Sequence, residues 1–229
     1  MVLDLSAVVV AAGRGLRFQK TSNSAQSKQL LEWGGKPLFV HTLEALSELS
    51  LSEIILVIRA EEEAQIHRHL EAYSLNQPIK ISFGGERRQD SVRLGLEKIS
   101  SCNRVLIHDG ARPNLSASFL RRLDEASKNH DCLIPVLPVV ETLKEINAAG
   151  EVVRTHDRSK FVRVQTPQFF KFSKIKDAHE KLKDSKIEFT DDAAMFEHLG
   201  FKVQTCEGSL ENIKVTVFED IKERVLNAR

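Results

Sequence analysis

Short strand-like runs recur through the first half of this chain, at residues 7–10, 54–58, 79–83 and 105–107, and stretches with apolar positions at helical spacing lie between them. Runs of this length suit buried strands and are far too short to span a membrane. Pro37 sits well as the first residue of a helix that places Phe39, Leu43, Leu46 and Ser50 on one side. Residues 61–73 carry acids in their first turn, with Ile66, Leu70 and Tyr73 at helical spacing. Residues 90–99, with Ser91 near the start, and 116–128 complete the series. Strands alternating with helices predict an α/β fold, a mostly parallel sheet covered on both faces. A chain of 229 residues suits a single such domain over 1–229.

The alternation then breaks. A run at 132–140 is interrupted by Pro135 and Pro138, which suits an edge strand. Residues 141–158 are polar around a Gly150 turn and read as a β-hairpin, an arm spanning 139–159. An arm with so little core of its own is expected to pack against a partner subunit. Thr190-Asp191-Asp192 reads as a helix N-cap and first turn.

Lys plus Arg is 33 and Asp plus Glu is 32, so no global field recruits nucleic acid or an acidic membrane. Any anion site must be local. The three cysteines are far apart with no C-x-x-C pair, which indicates neither a disulfide framework nor a zinc site. With no targeting signal and no long apolar stretch, the expected location is the cytosol.

The first strand runs straight into Ala11-Ala12-Gly13-Arg14-Gly15-Leu16-Arg17. Two glycines flanked by small residues let the backbone curl with its N–H groups inward. The P-loop pattern Gly-x-x-x-x-Gly-Lys-Ser/Thr is absent, and Phe18 stands where a dinucleotide fingerprint needs a small residue. A bare strand-to-loop turn stays open for a lone Gly-x-Gly. However, Arg14, Arg17 and Lys28 gather with no carboxylate between Ala11 and Leu31, which favours phosphate.

A second candidate is His108-Asp109-Gly110-Ala111-Arg112-Pro113, at the carboxyl end of the fourth run. Ligands of open α/β sheets bind there. Asp109 could hold a divalent cation such as magnesium together with substrate phosphates, and Arg112 could clamp an anion. An Asx-type turn with a structural Asp–Arg pair is the competing reading. His108 is read as structural.

Taken together with Lys28-Gln29, Gly84-Gly85 followed by Arg88 and Asp90-Ser91, these stretches resemble the 2-C-methyl-D-erythritol 4-phosphate cytidylyltransferase family. Asp157-Arg158, Gln165-Thr166-Pro167-Gln168-Phe169-Phe170, Thr190-Asp191-Asp192 and Glu211-Asn212-Ile213-Lys214-Val215-Thr216 are similar to the family's later motifs, in order. The resemblance covers nearly the whole chain. It implies a Rossmann-like fold and transfer of CMP from CTP to methylerythritol 4-phosphate, with release of pyrophosphate, in a magnesium-dependent homodimer joined through the arm.

By the same resemblance, Arg17 and Lys28 embrace the triphosphate and Lys214 faces the α-phosphoryl group. The nucleotide is read by Ala11, Ala12, Gly13, Gly15, Gly85, Glu86 and Ser91, with Asp109 and Gly110. Asp109 orients the metal. The polyol phosphate falls to Arg112, Thr142, Arg158 and Thr166, with Thr142 and Arg158 serving the neighbouring subunit. Without the family context, Lys214 reads as an outward residue of an edge strand and Thr166 as part of an X-Pro turn.

Three positions depart from the family: Ser27 precedes Lys28 where proline is usual, Gly110 replaces a common alanine, and Phe218 replaces a proline. They predict a looser Asp109 loop and a loop at 19–27 that is mobile until CTP binds. Ribitol 5-phosphate cytidylyltransferase and a non-catalytic CTP-binding regulator are the alternative functions.

Overall fold

The computed structural model describes residues 4–13, 15, 27–73, 75–216 and 220. Arg14, Arg17, Phe218 and residues 19–26 of the glycine-loop segment, with the expected mobility, lie outside the described residues.

Nearly every strand and helix read from periodicity is present. In chain order they are β1 (Leu5–Val10), α1 (Leu38–Leu46), β2 (Leu51–Ile58), α2 (Glu63–Ala72), β3 (Ile79–Phe83), α3 (Arg88–Glu97), β4 (Arg104–Asp109), α4 (Ala117–Ser127) and β5 (Cys132–Pro138). The second half adds β6 (Leu143–Ile146), β7 (Val152–His156), β8 (Val162–Val164), β9 (Gln168–Lys171), α5 (Phe172–Lys181), α6 (Asp192–His198) and β10 (Gln204–Glu207). Strands β4, β1, β2 and β3 lie side by side and parallel, and the return strand β9 inserts antiparallel between β4 and β5. The result is a Rossmann-like mixed sheet, mostly parallel at its centre.

Strand periodicity sorts the core onto two faces. Ala7 and Val9 of β1 face a layer with Phe39 and Leu43 of α1, Ile66 of α2 and Phe119 and Leu123 of α4. Val8 points the other way, toward Val92 and Leu96 of α3, Ile175 of α5 and Phe196 of α6. Helix α3 begins two residues earlier than its apolar pattern predicts, because Asp90 reaches back to accept from the Arg87 N–H at 3.1 Å. Gly95 lets α3 lie close on the sheet: a Cβ there would come within 2.7 Å of Val8 Cγ1 and 2.8 Å of Val57 Cγ2.

Strand β5 is not the edge that its prolines predict. It pairs with β8 and β9 antiparallel and with β10 parallel. Pro138 closes the strand and the Pro135 carbonyl still accepts from Gln165 N at 2.9 Å, so the missing amides cost the ladder little. The hairpin is present as β6 and β7, a separate two-stranded sheet with Gly150 at a positive φ in its turn. Cys102, Cys132 and Cys206 are free thiols, the second buried and the others half-buried. Among the described residues, no helix is long and apolar enough to cross a membrane.

Candidate active site

The turns that leave β1, β2, β3 and β4 at their carboxyl ends wall a cavity of about 440 Å³. Ala12, Gly13 and Gly15 line it from the first loop, and Gly85, Glu86 and Ser91 from the turn and helix after β3. A Cβ on Gly84 would come within 2.4 Å of Ala12 Cβ, so only glycine lets that turn close against the first loop. The Gly85 N–H donates to Ser91 Oγ at 3.1 Å, and that hydroxyl donates to the Arg87 carbonyl at 3.2 Å. Ala11 lies beneath the cavity and donates its N–H to Val57 O at 2.7 Å.

Asp109 ends β4 and is 8% exposed. Its Oδ2 is 2.5 Å from Lys214 Nζ and its Oδ1 is 3.3 Å from Arg88 Nε. Burial opposes its ionisation, but Arg88, Lys214 and Arg112 outweigh that and hold the carboxyl well below the usual carboxylate range. Asp109 therefore carries its charge at neutral pH. The Gly110 loop is held at both backbone groups, its N–H donating to Val10 O at 3.0 Å and its O accepting from Thr42 Oγ1 at 3.2 Å.

Beneath Asp109 lies a buried relay. Thr166 Oγ1 accepts from the Asp109 N–H at 3.1 Å and lies 3.0 Å from His108 Nδ1. The hydroxyl proton therefore points to Nδ1, which assigns the histidine proton to Nε2, and Nε2–H donates to the Arg112 carbonyl at 3.1 Å. Burial pushes the His108 pKa down to about 4, keeping the imidazole neutral. It is a structural residue, as its position implied.

Lys214 lies outside any strand, on a strap between Gly208 and Thr216. Arg112 Nη1 donates to Asn212 O at 2.8 Å, Gln165 Nε2 to Ser209 O at 2.8 Å, and Val215 N to Ala111 O at 2.9 Å. Lys28, arriving from the first loop, donates to Val215 O at 2.8 Å. Two lysines 186 positions apart in the sequence are thus carried to one wall of the cavity.

A second cavity of about 250 Å³ adjoins the first, lined by Arg112, Thr166 and Asp191. Arg88, Asp109 and Lys214 line both. Thr142 and Arg158 stand apart: both are exposed on the arm and line neither cavity, and Arg158 donates to the Val140 carbonyl. Arg17 lies outside the described residues.

Sequence reading gave no role to Arg88 or Arg59, both of which line the larger cavity. Arg59 follows the carboxyl end of β2, the same position rule that found Asp109, and is paired with Glu61 and Glu62. Asp191 is the N-cap of α6, as read, accepting from Ala194 N at 2.9 Å. Asp192, however, turns inward onto Arg88 at 2.7 Å.

Comparison with known proteins gives one family. The model of 2-C-methyl-D-erythritol 4-phosphate cytidylyltransferase matches residues 5–225. The cytidylyltransferase of that name from Geobacillus thermodenitrificans is 38% identical over 99% of both chains. That of Clostridium perfringens is 40% identical over 93% of this chain and 94% of its own. Among solved structures, the 4-diphosphocytidyl-2C-methyl-D-erythritol synthase of Anaerococcus prevotii superposes with a TM-score of 0.85 at 30% identity, covering 99% of this chain and 96% of its own. The Thermus thermophilus cytidylyltransferase gives 0.80 at 29%, covering 99% and 100%.

Proposed function

We infer how these residues divide the work from one premise: the chain belongs to the 2-C-methyl-D-erythritol 4-phosphate cytidylyltransferase family and is such an enzyme of non-mevalonate isoprenoid biosynthesis. Family membership does not favour the ribitol 5-phosphate or regulator alternatives. CTP occupies the larger cavity. The backbone of Ala11, Ala12 and Gly85-Glu86, braced by Ser91, reads the cytosine, and a purine is too large for it. Gly13 and Gly15 turn N–H groups toward the triphosphate, with Arg17 and Lys28 neutralising it.

The polyol phosphate enters the second cavity. One of its phosphate oxygens attacks the α-phosphorus of CTP in line, and the bond from that phosphorus to the oxygen bridging the β-phosphate breaks, so pyrophosphate leaves. No side chain acts as nucleophile. The protein aligns two anions and stabilises charge that spreads in the transition state. Lys214 meets that charge from the strap side. Arg112 and Thr166 flank the acceptor, and Thr142 and Arg158 reach it from the arm of a second subunit, which makes the working enzyme a homodimer in the cytoplasm.

Magnesium suits this donor set. Asp109 would be its protein carboxylate, with phosphate oxygens of the substrates supplying the other ligands, as magnesium prefers one or two carboxylates together with phosphates. When bound, the ion would withdraw charge from the phosphates.

The observation that carries this reading is the Lys214–Asp109 pair, 2.5 Å apart and shared by both cavities. A cation at the junction of the two cavities supports a reading in which the two anions meet there. The test is pyrophosphate release from CTP with each polyol phosphate in turn. Methylerythritol 4-phosphate should support turnover, ribitol 5-phosphate should not, and CTP binding without release would return the regulator.

A further inference from the structure

Asp109 divides its two oxygens between two cations. Oδ2 takes Lys214 at 2.5 Å, and Oδ1 faces Arg88 Nε at 3.3 Å and Nη2 at 3.4 Å. Arg88 is held from behind as well: its Nη1 is 2.7 Å from Asp192 Oδ2, and Asp192 Oδ1 is 3.1 Å from His179 Nε2. Asp192 is 0% and His179 2% exposed, and neither lines the two cavities. A guanidinium at the start of α3 thus ties the active-site carboxylate to the buried ends of α5 and α6.

This geometry answers a difficulty in the reaction proposed above, on which the inference rests. Lys214 must leave Asp109 to face the α-phosphoryl group, and a carboxylate held by one lysine would swing with it. We propose that Arg88 is a positioning residue: clamped by Asp192, it fixes Asp109 through Oδ1 so that Lys214 can exchange Oδ2 for phosphate while the carboxylate stays in place. A planar fork can bridge two carboxylates at once, which an ammonium on a flexible stem cannot do as rigidly. Asp109 and Asp192 take three of the five N–H donors of Arg88 and offset its charge, which favours a bridging role over direct contact with triphosphate. Nor does α3 need this residue for docking, since Val92 and Leu96 bury it on the sheet.

Steady-state kinetics and thermal melting of Arg88→Gln, Arg88→Lys, Asp192→Asn and the Arg88→Gln/Asp192→Asn double variant test this. Arg88→Gln should lose about 10- to 100-fold in kcat, the scale of a small misplacement of a catalytic group. Its KM for CTP should stay within about threefold, since the ground-state contacts remain. Arg88→Lys should recover part of kcat. The double variant should be no slower than Arg88→Gln, because Asp192 acts only through Arg88. An unchanged kcat in Arg88→Gln overturns the proposal, as does a loss carried by the CTP KM, or a double variant with the product of the single losses. If Asp192→Asn fails to fold, the two Arg88 variants decide alone. Absence of pyrophosphate release by the wild type would sink the cytidylyl-transfer reading and this inference together. Release by the wild type and an equal rate in Arg88→Gln would sink this inference only.

Discussion

Thr166 commits one hydroxyl to two buried neighbours, the Asp109 N–H at 3.1 Å and His108 Nδ1 at 3.0 Å. Thr166→Val keeps the shape and removes both bonds, leaving a buried amide and a buried imidazole nitrogen unpartnered. At about 1–3 kcal/mol for each stranded group, urea unfolding should show a loss of about 2–6 kcal/mol, and Thr166→Ser should restore most of it. His108 adds a pH dependence of its own. Its pKa is lowered by burial from 6.5 to about 4 in the fold, so below pH 6.5 the unfolded chain binds the proton that the folded one refuses. Stability should be independent of His108 above that pH, fall as pH drops toward 4, and lose about 3 kcal/mol in all, at roughly 1.4 kcal/mol per pH unit. His108→Asn should flatten that slope in urea melts run at successive pH values. Residues such as Asp109 and Lys28 were legible because local spacing exposes them, one at a strand's end and one beside a glycine loop. Partnerships were not. Asp109 meets Thr166, Lys214 and Arg88 across 57, 105 and 21 positions, and no short-range pattern encodes such pairs. Lys214 was found only through its family motif, and the inward turn of Asp192 had no local signal at all.

Helix α3 carries both Ser91 and Arg88, so its seat on the sheet sets the position of the Gly85 turn proposed to read the base and of the Arg88–Asp109 contact. Gly95 fixes that seat. Alanine is the better helix former by about 1 kcal/mol. Against this, its Cβ would enter Val8 and Val57 at 2.7 and 2.8 Å, inside a packed core where overpacking costs about 1–3 kcal/mol. The clash should win, because both valines are 0% exposed and have no free space to turn into. Gly95→Ala should melt earlier, and its KM for CTP should rise as Ser91 shifts with the helix. At this scale the sequence was most informative where an element has one dominant period. Strands β1, β2 and β4 are buried runs, β3 alternates apolar and polar residues, and helices α1, α2 and α4 are amphipathic stretches, so each is readable alone. Strand β5 was misread because a proline rule about hydrogen bonding was applied to a strand whose neighbours come from residues 162–171 and 204–207. Strand β9 is a four-residue segment with Phe169 and Phe170 adjacent, too short for periodicity to separate strand from helix.

The arm is where the single chain looks incomplete as a molecule. Its strands pair with each other, and Val140, Ile146, Val152 and Val153 are each 58% exposed or more. An apolar surface of this kind on a projecting hairpin fits contact with another chain. A second copy is the economical partner, since a two-fold arrangement would let each arm cover the other subunit and bring Thr142 and Arg158 to the cavity proposed for the acceptor, which neither lines within one chain. Sedimentation at micromolar concentration should then show a dimer, and Arg158→Ala should raise the KM for methylerythritol 4-phosphate while leaving that for CTP near wild type. Subunit mixing makes a stricter demand. If the arms are exchanged, Lys214→Ala would damage the cavity in its own subunit, whereas Arg158→Ala would damage the cavity of the neighbour. When equal amounts are allowed to exchange, half of the dimers are mixed, and each mixed dimer holds one site with both residues intact and one with neither. Assayed with methylerythritol 4-phosphate far below the KM of Arg158→Ala, where both variants turn over slowly, the mixture should therefore recover about a quarter of wild-type activity, as closed two-fold symmetry requires. If the sites were complete within one chain, every site in the mixture would remain damaged and no recovery would follow.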